Sequence, residues 1–125
     1  MRVALDLDGS IDAAPRQFQS LMSSLQAAGH TVTVVTGVSD TEVTPQDFVN
    51  KANYLNQLGC GQCYDDLVVL AAHPAGEVDD LHDRKAQWLT DNHVHVFVDN
   101  SRQNAKSAVA AGVPLVLVPW ASRED

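Results

Sequence analysis

Two aspartates stand at the end of an apolar run near the start of the chain. Val3 to Leu7 carries Asp6, Asp8 follows two residues later, and Gly9 and Ser10 come next. Residues two apart in a strand share a face, so both carboxylates can turn into one pocket if the strand runs that far. Gly9 allows a sharp turn directly after them. A second run, Thr31 to Thr36, ends in Thr36-Gly37, and a later one, Val94 to Val98, ends in Asp99-Asn100. Lys85 lies in the stretch DRKAQWL just before that last strand. Clustered carboxylates repel one another and are tolerated when a cation sits among them. Hard oxygen donors suit Mg²⁺, which takes few carboxylates and keeps several waters. A carboxylate can also attack phosphorus to form an aspartyl-phosphate, with Thr36 and Lys85 binding the phosphoryl oxygens. Each feature alone has a plain structural explanation: a polar turn, a strand end, a surface lysine, a turn leading into a helix. Their order and joint placement give them weight.

The elements that must position these residues follow from hydropathy. Short β-type runs (Val3 to Leu7, Thr31 to Thr36, Leu67 to Ala71, Val94 to Val98 and Leu115 to Val118) alternate with helical ones. Pro15 to Ala28 has Phe18, Leu21, Met22, Leu25 and Ala28 at helical spacing and is closed by Gly29. Thr44 and Pro45 read as N-cap and first helical residue, with Phe48, Ala52 and Leu55 on one face and Gly59 at the end. Asp79 to Asn92 forms a third helix, and Ser101 caps a fourth that ends at Gly112. This alternation, with nearly continuous apolar strands, predicts a single α/β domain over residues 1–125 with a mostly parallel sheet covered on both faces. Ligands of such sheets sit beyond the carboxyl ends of the strands, where Asp6, Asp8, Thr36 and Asp99 fall.

Composition narrows the function. With 125 residues and 45% hydrophobic content the chain can bury a core without staples. No run of about 18 apolar residues offers a membrane span, and the N-terminus turns acidic too early for a signal peptide, so a cytoplasmic protein is expected. The net charge of −8 speaks against duplex nucleic acid as a partner. It leaves room for a small phosphorylated molecule or a nucleotide end, because a metal ion screens local carboxylates. Oligomerisation stays open. Cys60 and Cys63 form a lone CxxC after a helix end and read as turn cysteines, with zinc or redox roles as the alternative. His30, His73, His82, His93 and His95 are scattered and read as bystanders.

The strings VALDLDGSI, VTVVTG, DRKAQWL and VHVFVDNSRQNAKSAVAAGVPLVLV resemble, in order, motifs I to IV of the haloacid dehalogenase (HAD) superfamily, across nearly the whole chain. The resemblance implies a Rossmann-like three-layer sandwich, five parallel strands in the order 5-4-1-2-3, with no cap domain. It implies a magnesium-dependent phosphatase, a phosphoric monoester hydrolase. Asp6 would be nucleophile and metal ligand, and Asp8 general acid/base with its backbone carbonyl on the metal. Thr36 and Gly37 would hold the phosphoryl group, Lys85 would neutralise Asp6 and the transferring group, and Asp99 would complete the metal site. Asn100 departs from the family pattern, where a second acid is common, and is left a supporting role beside a metal-bound water. Arg84 competes with Lys85 for the role of cation. Two other readings compete: a binding protein of the same fold without turnover, and a receiver-like signalling domain, which would want adjacent acids after the first strand and an aspartate at the end of the third.

Overall fold

The computed structural model describes residues 1–72 and 81–120. Strand β1 (Arg2–Asp6) leads through a 3-10 turn (Ile11–Ala13) into α1 (Pro15–Ala27). Then come β2 (Thr31–Val38), α2 (Pro45–Gln57), β3 (Asp66–Ala71), α3 (Leu81–Asp91), β4 (Val96–Val98), α4 (Arg102–Ala111) and β5 (Leu115–Leu117). The five strands form one parallel sheet in the order β3-β2-β1-β4-β5, the expected order read from the other edge. Only one helix separates β2 from β3 and only the short turn separates β1 from α1, so neither connection carries a cap domain.

Each face of the sheet has its own core. Val3 and Leu5 alternate with Ala4 along β1 and point to opposite sides, and Leu7, just past its end, joins the core on the Val3 and Leu5 side. One side packs under α1 and α2 with Val32, Val34, Phe18, Met22 and Leu55. The other packs under α3 and α4 with Val35, Phe97, Leu89, Ala108 and Val113. Leu5 and Phe97 are fully buried, each side chain stabilising the fold by about 1.5–3 kcal/mol relative to exposure.

Local signals set the helix ends. Thr44 accepts from the Asp47 amide while the Asp47 carboxylate accepts from the Thr44 amide, a reciprocal capping box before Pro45. Ser101 accepts from the Asn104 amide at the start of α4, and Gly112 ends that helix in the left-handed region.

Several sequence expectations shift. β2 continues past Thr36 to Val38, because Gly37 and Val38 pair with Leu70 and Ala71 of β3. Gly37 is therefore a mid-strand glycine, and a Cβ there would fall inside van der Waals contact of the Leu81 side chain. β4 starts at Val96, after His93 adopts a positive φ of 53° and Val94 donates back to Leu89 at the end of α3. Phe48 and Leu21 are 46% and 42% exposed, since α2 reaches the core through Tyr54, Leu55 and Leu58 and α1 through Phe18, Met22 and Leu25. His73 and Asp79 lie outside the described residues, as does the end of the chain after Trp120.

Candidate functional site

The sheet order puts β1 between β2 and β4, where the chain's direction of winding reverses. Leu5 pairs with Val98, so one residue further on Asp6 and Asp99 leave adjacent strands side by side. Both are buried, and so is Lys85, which reaches them from α3. The Lys85 ammonium donates to Asp6 Oδ1 at 2.6 Å and to Asp99 Oδ2 at 3.4 Å. Lys85 is thus the cation of this cluster, while Arg84 lines an open groove of about 340 Å³ with Leu70, Asp83, Gln87, Trp88 and Asp91.

Two carboxylates and one ammonium leave a net negative charge in a water-poor place. Burial pushes the Asp6 carboxyl up to about 7, against the pull of Lys85 and with added repulsion from Asp99 and Asp8. For Lys85 the attraction of Asp6 and Asp99 outweighs burial and holds its ammonium above the usual lysine range. With both carboxylates ionised the triad is one positive charge short of neutrality, a deficit that a proton on Asp6 makes up below about pH 7.

A ring of neutral donors fixes it. Asp99 Oδ1 accepts from the Ser101 amide at 2.9 Å, and Asp99 Oδ2 accepts from Asn104 Nδ2 at 2.8 Å. Ser10 is fully buried and its hydroxyl accepts from the Asn100 amide at 3.0 Å. Its single proton faces Asp6 Oδ2 at 3.3 Å and Asn100 Oδ1 at 3.2 Å and can serve one at a time. The Asn100 side chain also crowds Gly9: with φ 84° and Asn100 Nδ2 2.5 Å from where a Cβ would stand, that turn requires glycine.

Asp8 stands apart from the triad. β1 ends at Asp6, so the two-residue spacing does not carry Asp8 to the same place. Its side chain is 55% exposed, and its Oδ2 accepts from Thr36 Oγ1 at 3.0 Å and from Lys51 Nζ at 3.1 Å. Thr36 is buried within β2, and Leu81 packs against Gly37. A neighbouring contact ties α2 to the turn after β1: Tyr54 Oη donates to Asp12 Oδ2 at 2.9 Å, and Asp12 Oδ1 accepts from the Gly9 amide at 2.7 Å. Sequence reasoning missed Lys51 and Tyr54. A signal existed: Lys51, Tyr54, Leu55 and Leu58 fall at helical spacing, which puts the lysine on the stripe that faces the sheet.

Among the described residues no group of three or more histidine, cysteine, aspartate or glutamate side chains converges tightly enough to hold an ion by itself. Asp6 and Asp99 supply two carboxylates, a set that suits Mg²⁺ with water and one backbone oxygen. His30 meets the N-terminal amine, His95 the Arg2 amide, and His82 both Gln103 and Asp83. Cys60 and Cys63 are buried free thiols in the α1/α2 core, and burial raises the Cys60 thiol, which keeps it protonated and unreactive.

No protein-family model matches the chain, and no curated protein matches it. Among solved structures, a universal stress protein from Archaeoglobus fulgidus aligns with a TM-score of 0.58 at 13% identity, over 93% of this chain and 91% of that one. A protein of the universal stress protein family from Burkholderia pseudomallei aligns with a TM-score of 0.53 at 15% identity, over 95% and 96%. These structures share the fold.

They also correct the family reading. Universal stress proteins are a different Rossmann-like family from the haloacid dehalogenase superfamily, so the resemblance drawn from the four motifs is overturned. The phosphoric monoester hydrolase function and the enzyme classification fall with it, including the nucleophilic role given to Asp6 and the acid/base role given to Asp8. The physical reason lies in the architecture. Any doubly wound parallel sheet gathers its strand ends at one edge, so a polar turn after β1, a Thr-Gly in β2 and an Asp-Asn after β4 read the fold and not the family.

Proposed function

We propose that the carboxyl end of the sheet binds a divalent cation, Mg²⁺, together with the phosphoryl group of a small phosphorylated molecule or a nucleotide end, and that the protein acts by binding. The observation that carries this is the buried triad: two carboxylates, Asp6 and Asp99, leave adjacent strand ends and share a single ammonium, so once Asp6 ionises they lack one positive charge. Asp6 and Asp99 would be the carboxylate ligands and Asp8 would contribute its backbone carbonyl, with Asn100 supporting a bound water. Thr36, the Gly37 amide and Lys85 would receive phosphoryl oxygens. The cation supplies the positive charge that an anionic compound needs beside so acidic a protein.

Duplex nucleic acid is a poor partner for a chain of net charge −8. None of the described helices is long and apolar enough to cross a membrane. A cytoplasmic location belongs to the same proposal, since two buried free thiols suit a reducing compartment.

Titration calorimetry tests it. MgCl₂ should bind the wild type at one site per chain and bind neither Asp6→Asn nor Asp99→Asn. Unchanged Mg²⁺ affinity in both variants would refute it.

A further inference from the structure

Asp8 is the one acid of the DxDG turn that the triad does not use, and its surroundings are unusual for an exposed carboxylate. A single oxygen, Oδ2, collects two donors that come from different elements: the buried Thr36 hydroxyl of β2 at 3.0 Å and the Lys51 ammonium of α2 at 3.1 Å. Lys51 lies 43 residues from Asp8, and its side chain is only 19% exposed where it reaches across to the turn. A neutral hydroxyl and an ammonium converging on one anionic oxygen are what a phosphoryl oxygen also requires. The carboxylate that fills the place is itself 55% exposed on a turn, where rotation about its side chain carries it into water.

We infer that Thr36 Oγ1 and Lys51 Nζ form an anion cradle for a phosphoryl oxygen, and that Asp8 fills it as an internal competitor until a phosphate monoester displaces it. This rests on the binding site proposed above and adds Lys51 to it, as well as a regulatory part for Asp8. Lys85 keeps its two buried carboxylates whatever else it meets, whereas Lys51 can give up its exposed partner Asp8 without leaving a buried charge unpaired. The exposed carboxylate of Asp8 keeps its solvation when it is released.

The test is binding of inorganic phosphate at saturating Mg²⁺ by the wild type, Lys51→Gln, Asp8→Asn and the double variant. Both positions are partly exposed, so the variants should fold, which circular dichroism checks. Lys51→Gln should weaken phosphate binding about tenfold, the scale of one charge-assisted hydrogen bond, while Mg²⁺ affinity without phosphate stays unchanged. Asp8→Asn should do the reverse and tighten phosphate binding severalfold, and the double variant should lose that gain. A purely structural contact between α2 and the turn would instead weaken binding in both single variants. Equal phosphate affinity in Lys51→Gln and the wild type, or weaker binding in Asp8→Asn, would overturn the inference. A wild type that takes Mg²⁺ but no phosphate would overturn it too and would leave the cation site standing.

Discussion

Replacing Asp6 with asparagine should make the metal-free protein more stable at pH 8, although it removes a buried ion-pair partner. The carboxyl titrates at about 7 in the folded chain, against 3.8 for a free aspartate, chiefly because burial penalises its charge. A folded value above the unfolded one means that the folded state holds the proton longer. The stability that comes with the protonated form is fully present below 3.8, and is lost as pH rises from there to about 7. At about 1.4 kcal/mol per pH unit, that interval is worth about 4 kcal/mol. Asparagine mimics the protonated carboxyl at every pH, and leaves Lys85 paired with Asp99. The difference between the two unfolding free energies cancels the carboxylates remote from the triad and reports on Asp6 together with its partners Lys85 and Asp99. Urea unfolding of both proteins in chelator, at half-unit steps from pH 4 to pH 8, gives that curve. Near pH 4 the two proteins should be close. By pH 8 Asp6→Asn should be the more stable by about 4 kcal/mol. Mg²⁺ at about 100 times its dissociation constant should return about 2.7 kcal/mol to the wild type alone. A difference that stays flat across the range, or a wild type that gains on the variant as pH rises, would show that Asp6 is not the strained acid described.

Lys85→Met removes the ammonium between two buried carboxylates and should cost about 3–5 kcal/mol at neutral pH. The loss should shrink toward pH 5, where Asp6 takes up a proton; thermal unfolding at two pH values measures both, and an equal loss at each would count against the triad. Gly37→Ala should cost about 1–3 kcal/mol through overpacking against Leu81. Leu81→Ala in the same chain should recover part of that cost, a coupling that a double-mutant cycle reads directly.

Much of the scaffold was legible because its signals are local. β-branched runs marked the strands, and Thr44-Pro45, Ser101, Gly29 and Gly112 marked helix ends through their own backbone preferences. The meeting of Asp6, Lys85 and Asp99 was legible as well, since parallel strands deliver their ends to one edge and the helix before β4 packs beside it. What escaped depends on contacts without local trace. Gly37 looked like a strand terminator, but it is a seat for Leu81, which lies 44 positions on. Asp8 looked like the partner of Asp6, but the strand stops one residue after Leu5, so alternation no longer governs where it points. Lys51 and Tyr54 meet Asp8 and Asp12 only because α2 folds back over the turn. The family assignment failed for a related reason: short polar motifs at strand ends carry the geometry of the sheet, and that geometry is shared with universal stress proteins.

A crystal structure grown with MgCl₂ and inorganic phosphate tests the central proposal most directly. The expected result is one ion touching a carboxylate oxygen of both Asp6 and Asp99 at about 2.0–2.1 Å, with phosphate beside it near Thr36. An ion bound elsewhere on the chain, or none under saturating conditions, would contradict it.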